Sequence, residues 1–387
     1  MKTLVTTTSL MQPIAHFSHA ARVGGLVHVG AAAGTDAARR LAGSAPGRPD
    51  LAAQLERMLA NFDTVLSLVG AARAHVVEFR AWVADTRDLA ACARAIDAWL
   101  GDAGAARVVG ASFGFPLPHA SVEADLVAAI APHAAPRHLH AGPGADAATG
   151  LAAVQAASAL DTLERLLESH GLRPADLVHL RISLADVRAH GEVAAVLARR
   201  LAHAPPARAF VVAPLADPRA LLHLDAVALP GGGRPVEPAG HGAGGVPPAV
   251  LAGEHLYLGG QNGVGDDGAP VGDVEAQTRA AWRRIEALVD AAGFERDSVV
   301  RTTNVLTDWR DYAGFNAGYG AHVRRPYPPR TTVLGGLVEP GARVQVEAIA
   351  HRDGARATVL DTPGAPDPAV ASGTPAAPAD PGARDSR

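Results

Sequence analysis

Three glutamines set the frame of this chain. Gln54, Gln155 and Gln277 each sit in the first turn of a helix-like pattern. Each is followed 53 residues later by an arginine that opens a β-rich run: Arg107, Arg208 and Arg330. Other landmarks keep step with them. A glycine lies 16 residues after each glutamine (Gly70, Gly171, Gly293), a valine 23 after (Val77, Val178, Val300) and an aspartate 31 after (Asp85, Asp186, Asp308). Alanine-rich chains match themselves by composition alone. That bias does not set Gln, Gly and Asp at the same offsets in three places. The chain therefore reads as three tandem copies of one unit.

Each copy has the same punctuation. In the third, Trp282, Ile285, Leu288, Val289 and Ala292 recur at spacings of three and four, one apolar stripe of a helix. Gly293 is placed to end it, since a left-handed cap is cheap only for glycine. A strand over 299–306, a second helix over about 312–323 and a strand from Arg330 follow. In the second copy Val178, Leu180, Ile182 and Leu184 alternate with polar residues, as in a half-buried strand. The order is β, α, β, α, β, β, an α+β unit with two helices on one face of a mixed sheet. Three such sheets meeting edge to edge around a pseudo-threefold axis would leave few open edges. The expected divisions are 1–130, 137–229 (lacking part of its N-terminal hairpin), a linker at 230–249, 250–353, and a Pro-, Ala- and Gly-rich disordered tail at 354–387.

Composition removes several function classes. A net charge of −4 provides no basic footprint for nucleic acid. Among 35 basic residues only Lys2 is a lysine, so the body of the chain offers neither a phosphate-loop lysine nor a Schiff base. The single cysteine, Cys92, excludes an internal disulfide and fits a reducing compartment. No apolar run is long enough for a membrane span, and the N-terminus does not read as a signal peptide. The expectation is a cytoplasmic protein with no cofactor, no nucleic-acid or membrane partner, and a small-molecule carboxylate as ligand. One chain would stand in for a trimer, with further self-association left open.

The strand-opening arginines are the chemical candidates, because a guanidinium grips a carboxylate through two parallel hydrogen bonds. A salt bridge holding units together is the competing role. A second position breaks the symmetry. Glu123 lies 16 residues after Arg107, and its counterparts in the other copies are His223 and Gln345. Only Glu123 offers a carboxylate to hold or activate water. His223 can do related work near neutral pH, and Gln345 can only orient. His133, His138 and His140 could supply two ligands of one strand face to a metal, but no third ligand is near, so no metal is expected.

Several stretches carry a family resemblance: LeuTyrLeuGlyGlyGln (256–261), AspValGluAlaGlnThr (273–278), AsnValLeuThrAspTrpArgAspTyrAlaGlyPheAsn (304–316), ProProArgThrThrVal (328–333) and ValGlnValGluAlaIleAla (344–350). The third copy resembles the RidA/YjgF/UK114 family of small enamine and imine deaminases. The first copy resembles it from Phe17 to Val127, and the second from its first helix onward. The resemblance implies a chorismate-mutase-like α+β unit and a trimer fused into one chain, with ligand clefts between units. It also implies that Arg107, Arg208 and Arg330 grip the substrate carboxylate. Glu123 alone matches the glutamate associated with the catalytic water. Gly30-Ala31 and Gly259-Gly260 stand where the family has a Ser-Gly pair. Phe17, before Ser18, replaces a phenol, and Asn316 alone keeps the family asparagine. No copy keeps the full set, so a working site needs residues from two. Glu123, Arg107 and Arg330 are the catalytic candidates. Arg208, Asn316, Gly259, Gly260, Gly30, Phe17, Gln345 and His223 are the binding candidates. The implied activity is hydrolysis of a small enamine or imine acid. The alternatives are a chorismatase-like enzyme on the same fold and a non-catalytic carboxylate binder.

Overall fold

The computed structural model describes residues 1–45, 48–131, 135–238, 245–265 and 267–360. The first unit runs β1 (Lys2–Val5), β2 (Ala20–Val23), β3 (Leu26–Ala33), a short hairpin of β4 (Ser44–Ala45) and β5 (Arg48–Pro49), α1 (Leu51–Leu68), β6 (Val76–Val83), α2 (Leu89–Leu100), β7 (Ala106–Ala111) and β8 (Val122–Ala129). The second contributes β9 (Arg137–Ala141), α3 (Ala152–Ser169), β10 (Leu177–Leu184), α4 (His190–Arg200), β11 (Ala207–Val212) and β12 (Leu222–Ala228). The third holds β13 (Arg234–Val236), β14 (Ala249–Ala252), β15 (His255–Asn262), α5 (Val274–Ala291), β16 (Val299–Leu306), α6 (Tyr312–Gly320), β17 (Arg330–Leu334), β18 (Val344–His351) and β19 (Ala357–Leu360). Besides the β4-β5 pair, the described residues form three larger sheets, ordered β19-β1-β2-β3-β8-β6-β7, β11-β10-β12-β9 and β13-β14-β15-β18-β16-β17. The second sheet has only β9 where the others have a hairpin.

Each repeated landmark has a physical task. Gln54, Gln155 and Gln277 are buried and staple helix to sheet. Their amides donate to the carbonyls of His119, Arg219 and Gly341 (3.1, 3.1 and 3.2 Å), and their oxygens accept from the amides of Ser121, Leu221 and Arg343 (2.7, 2.7 and 2.8 Å). These pairs satisfy backbone groups of the turn before the last core strand, which would otherwise be costly to bury. Gly70, Gly171 and Gly293 have φ of 71°, 69° and 75°, the left-handed cap. Val77, Val178 and Val300 occupy the same bulge against β8, β12 and β18. Asp85, Asp186 and Asp308 each accept the backbone amide two residues on and pair with that residue's guanidinium. The three helix faces cover three separate cores, built around Phe62, Leu163 and Ile285.

The units close into a ring. Strands β7, β11 and β17 lie against β9, β15 and β3 of the next unit in turn. Their ends meet pairwise. The Ala111 amide faces the Pro214 carbonyl (3.4 Å), Val212 exchanges hydrogen bonds with Gly336 (2.9 and 2.7 Å), and the Leu334 amide and carbonyl both bond Ser112 Oγ (3.1 Å each). Buried charges cross the seams. Arg80 grips Asp125 (2.8 and 2.6 Å) and donates to Thr303 (3.1 Å). Arg301 reaches back to Asp125 (2.9 Å) and Glu78 (3.3 Å), and Arg181 pairs with Glu347 (2.7 Å). Burial raises the Asp125 carboxyl pKa, but the two guanidiniums win and hold it below the usual carboxylate range.

Two stretches differ from the composition-based expectation. Of the disordered tail expected at 354–387, residues 354 and 355 end a 3-10 turn and 357–360 form β19, paired in parallel with β1; residues 361–387 lie outside the described residues. In the stretch taken as linker, Arg234–Val236 pairs with β14, while 239–244 lie outside the described residues. Val236 is buried in the third core, and a Pro- and Gly-weighted reading does not register that one residue. No helix among the described residues is long and apolar enough to cross a membrane.

Candidate active site

The three seams start from the same backbone and end with different chemistry. Arg107, Arg208 and Arg330 open their strands in one register, opposite Phe79, Leu180 and Thr302. Glu123, His223 and Gln345 are likewise equivalent, paired with Trp82, Ser183 and Val305. Because each arginine strand leans on the following unit, Arg330 of the third unit and Glu123 of the first line one cavity.

That third–first seam holds a cavity of about 110 Å³ lined by Arg330, Glu123, Tyr312, Thr332 and the exposed Arg39, with Phe17, Met11, Ile14, Pro116 and Leu117 as an apolar wall. Gly30 makes the seam tight. A Cβ there would stand 3.0 Å from the Arg330 carbonyl oxygen and 3.1 Å from its amide nitrogen. Arg330 is only 4% exposed. Its Nη2 donates to Asn316 Oδ1 (2.7 Å) and Tyr312 Oη (3.1 Å), while Nη1 is buried with no partner among the described residues. Four rings surround the guanidinium: Tyr319 at 4.9 Å, Phe315 at 5.3 Å, Phe17 at 5.7 Å and Tyr312 at 5.9 Å. Such a cage stabilises the cation and fixes its plane. Tyr312 and Asn316 stand one helical turn apart on α6, so one face delivers both hydrogen bonds. Glu123 is 7% exposed, and its carboxyl has no hydrogen bond or ion pair among the described residues. Burial pushes its pKa up to about 8. An anion-binding group and a carboxyl protonated at neutral pH therefore line one cavity.

The first–second seam is occupied differently. Arg107, named above with Glu123 as a catalytic candidate, does not line the Glu123 cavity. It is tied to Asp97 of α2 (Nε–Oδ1 2.6 Å). The β9 register runs unbroken through Leu139, His140 and Ala141, whereas β3 and β15 skip residues at Gly30-Ala31 and Gly259-Gly260. His140 thus takes the glycine's place. Its Nδ1 meets Asp225 Oδ1 at 2.5 Å, and its ring stands edge-on to His223 at 5.0 Å. Burial lowers the His140 pKa, but Asp225 outweighs it and the net shift is upward. His223 is lowered to about 4 by burial and by its neighbour His140. In the second–third seam Gln345 spans the gap, donating to the Phe210 carbonyl (3.2 Å). Arg208 donates to the Leu197 carbonyl (3.3 Å), its Nε is buried without a partner among the described residues, and burial lowers its pKa. A Cβ on Gly259 would lie 2.4 Å from the Arg208 carbonyl, and one on Gly260 would strike the Gln345 amide. Gly259, Gly260 and Gln345 thus close this seam by tight backbone approach.

Of the binding candidates, Phe17 lines the Arg330 cavity, while Asn316 holds the arginine from behind. Tyr312 was missed. Its phenol stands in the cavity from the opposite unit to Phe17, and its position four residues before Asn316 was the available signal. His138 lies 3.1 Å from Glu78 and His140 meets Asp225, so both histidines face carboxylates rather than each other; His133 lies outside the described residues.

The endoribonuclease L-PSP family profile matches residues 7–130, 143–229 and 243–352, one match per unit. Among solved structures, RidA from the Antarctic bacterium Psychrobacter sp. is 28% identical over 30% of this chain and 98% of its own, with a TM-score of 0.28. Rv2704 from Mycobacterium tuberculosis, of the YjgF/YER057c/UK114 family, is 31% identical over 30% of this chain and 97% of its own, with a TM-score of 0.26. A chorismatase structure aligns over 72% of this chain and 93% of its own at 12% identity, with a TM-score of 0.49.

Proposed function

The chain belongs to the endoribonuclease L-PSP family, as three fused copies, and from that premise we propose that its third–first seam hydrolyses a small enamine or imine carboxylic acid to the keto acid and ammonia. The carrying observation is the placement in one cavity of Arg330 and Glu123, whose Nη1 and raised-pKa carboxyl have no partner among the described residues.

In this reading Arg330 Nη1 and the Tyr312 hydroxyl bind the substrate carboxylate. The Tyr312 oxygen already accepts from Arg330, which leaves its proton to donate. Asn316 and the aromatic cage hold the guanidinium still, so little rotamer entropy is lost on binding. Glu123, protonated at neutral pH, gives its proton to the substrate nitrogen. The resulting carboxylate takes one from the water that attacks the imine carbon. The carbinolamine then collapses: Glu123, reprotonated by that water, gives its proton to the amine and takes up the hydroxyl proton as the C–N bond breaks, so ammonia leaves, the carbonyl forms and Glu123 is again protonated. The wall of Met11, Ile14, Phe17 and Leu117 suits an apolar substituent, and the exposed Arg39 stands at the same cavity.

The test uses freshly generated imines of alanine and leucine, with ammonia release followed in time. The wild type is expected to accelerate both, the leucine imine more. Arg330→Ala should lose about a hundredfold or more, as for removal of a charge-positioning donor, while Arg107→Ala stays within about twofold. No acceleration by the wild type, or equal loss in the two variants, rejects the proposal. Tight keto-acid binding without turnover would instead identify a carboxylate binder.

A further inference from the structure

A second cavity lies outside the seams, where both ends of the described chain meet the third unit. It measures about 150 Å³, and its walls come from β1, α5, the turn before β16, the segment after α6 and the residues around β19. Four of its side chains are cationic: Lys2, Arg296, Arg324 and Arg325. Asp297 is the one carboxylate among its lining residues.

The basic groups are unequally engaged. Lys2 is 3% exposed, and its ammonium donates to the carbonyls of Asp297 (2.7 Å) and Val299 (3.1 Å). An ammonium carries three N–H groups, so one remains for a ligand. Burial lowers its pKa to about 8, so it is still mostly charged at neutral pH. Arg296 makes long ion pairs with Glu286 (3.7 Å) and Asp290 (3.9 Å). Arg324 is exposed and has no hydrogen bond or ion pair among the described residues.

An independent observation points the same way. Trp282 lines this cavity and is 2% exposed, yet its Nε1–H is buried with no partner among the described residues. A buried indole N–H normally finds an acceptor. The cavity therefore gathers unfilled donors and four cations against the single carboxylate of Asp297, an excess of positive charge that an anionic acceptor would balance.

We propose that this cavity, framed by Lys2, Trp282, Arg324 and Arg325, is a binding site for a small doubly charged oxyanion, a phosphate monoester or a dicarboxylate. It is separate from the Arg330–Glu123 cavity. The two touch through the chain, since Pro328 lines the oxyanion site and lies two residues before Arg330. The Pro328 carbonyl also accepts the Ser18 amide (3.4 Å), beside Phe17.

The experiment separates the two sites. Inorganic phosphate and succinate are titrated in turn, by calorimetry, into the full chain carrying Arg39→Ala and Arg330→Ala, which removes both cations that line the seam cavity. Saturable binding of at least one probe is expected, and it should weaken roughly tenfold or more on adding either Lys2→Met or Arg324→Ala. Phosphate alone would identify a phosphate ligand, and succinate alone a dicarboxylate. Trp282 fluorescence should change with the same affinity, and the change should vanish in Trp282→Phe. Arg324 is exposed, so its variant reads out the site even if Lys2→Met disturbs folding. The proposal is overturned if neither probe saturates, or if binding is indifferent to both added substitutions.

Discussion

Replacing Glu123 with glutamine isolates one buried proton. The wild-type carboxyl moves from an ordinary pKa of 4.5 to about 8 in the folded chain, because burial disfavours its charged form. The folded state therefore holds this proton more tightly than the unfolded chain does. Stability follows the difference in bound protons, so the wild type loses stability as pH rises from about 4.5 to about 8, and the loss is complete above that window. At about 1.36 kcal/mol per unit, the shift corresponds to roughly 5 kcal/mol, an upper bound because water entering the cavity screens the charge. Glutamine has nearly the same shape and no titration. Every other ionisable group is common to both proteins and cancels in the comparison. Glu123→Gln should match the wild type near pH 4 and exceed it by several kcal/mol at pH 9. The assay is guanidinium unfolding of both proteins at pH 4, 6, 8 and 9, comparing the transition that reports the first unit. Parallel stability profiles, or a variant less stable than the wild type at pH 9, would refute the claim that this carboxyl is buried, unpaired and protonated.

Two further perturbations probe the ring. Gly259→Ala would place a methyl 2.4 Å from the Arg208 carbonyl, so the second–third seam must open, at a cost of about 1–3 kcal/mol, read as a lowered thermal midpoint. Asp125→Asn leaves the buried Arg80 and Arg301 with Glu78 as their shared carboxylate in place of two, and it should cost about 3–5 kcal/mol in chemical unfolding, with no comparable loss in Asp85→Asn on the surface.

The triplication was legible because each landmark answers a local demand that recurs in every copy. Gln54, Gln155 and Gln277 satisfy the same turn, and Gly70, Gly171 and Gly293 end the same helix. Local demands leave residues at fixed offsets. The seams are different, because they depend on which unit follows which. The sequence shows that Glu123, His223 and Gln345 are equivalent. It does not show that β17 leans on β3, which is what brings Arg330 rather than Arg107 to Glu123. Arg107 looked equal to Arg330 on its own strand, and its neutralisation by Asp97 comes from a helix packed behind it. Tyr312 was hidden for a similar reason, since its phenol enters a cavity completed by another unit. β19 escaped notice because four residues paired in parallel with the chain's first strand leave no local turn or period to read.

Joining three lobes in one polypeptide also lifts a restriction that identical subunits obey. In a homotrimer any substitution appears at all three boundaries, so a residue good for chemistry must also be tolerable as mortar. Here the glutamate, histidine and glutamine at matching places are written independently. One boundary can keep a reactive, energetically awkward carboxyl while the other two bear the mechanical load.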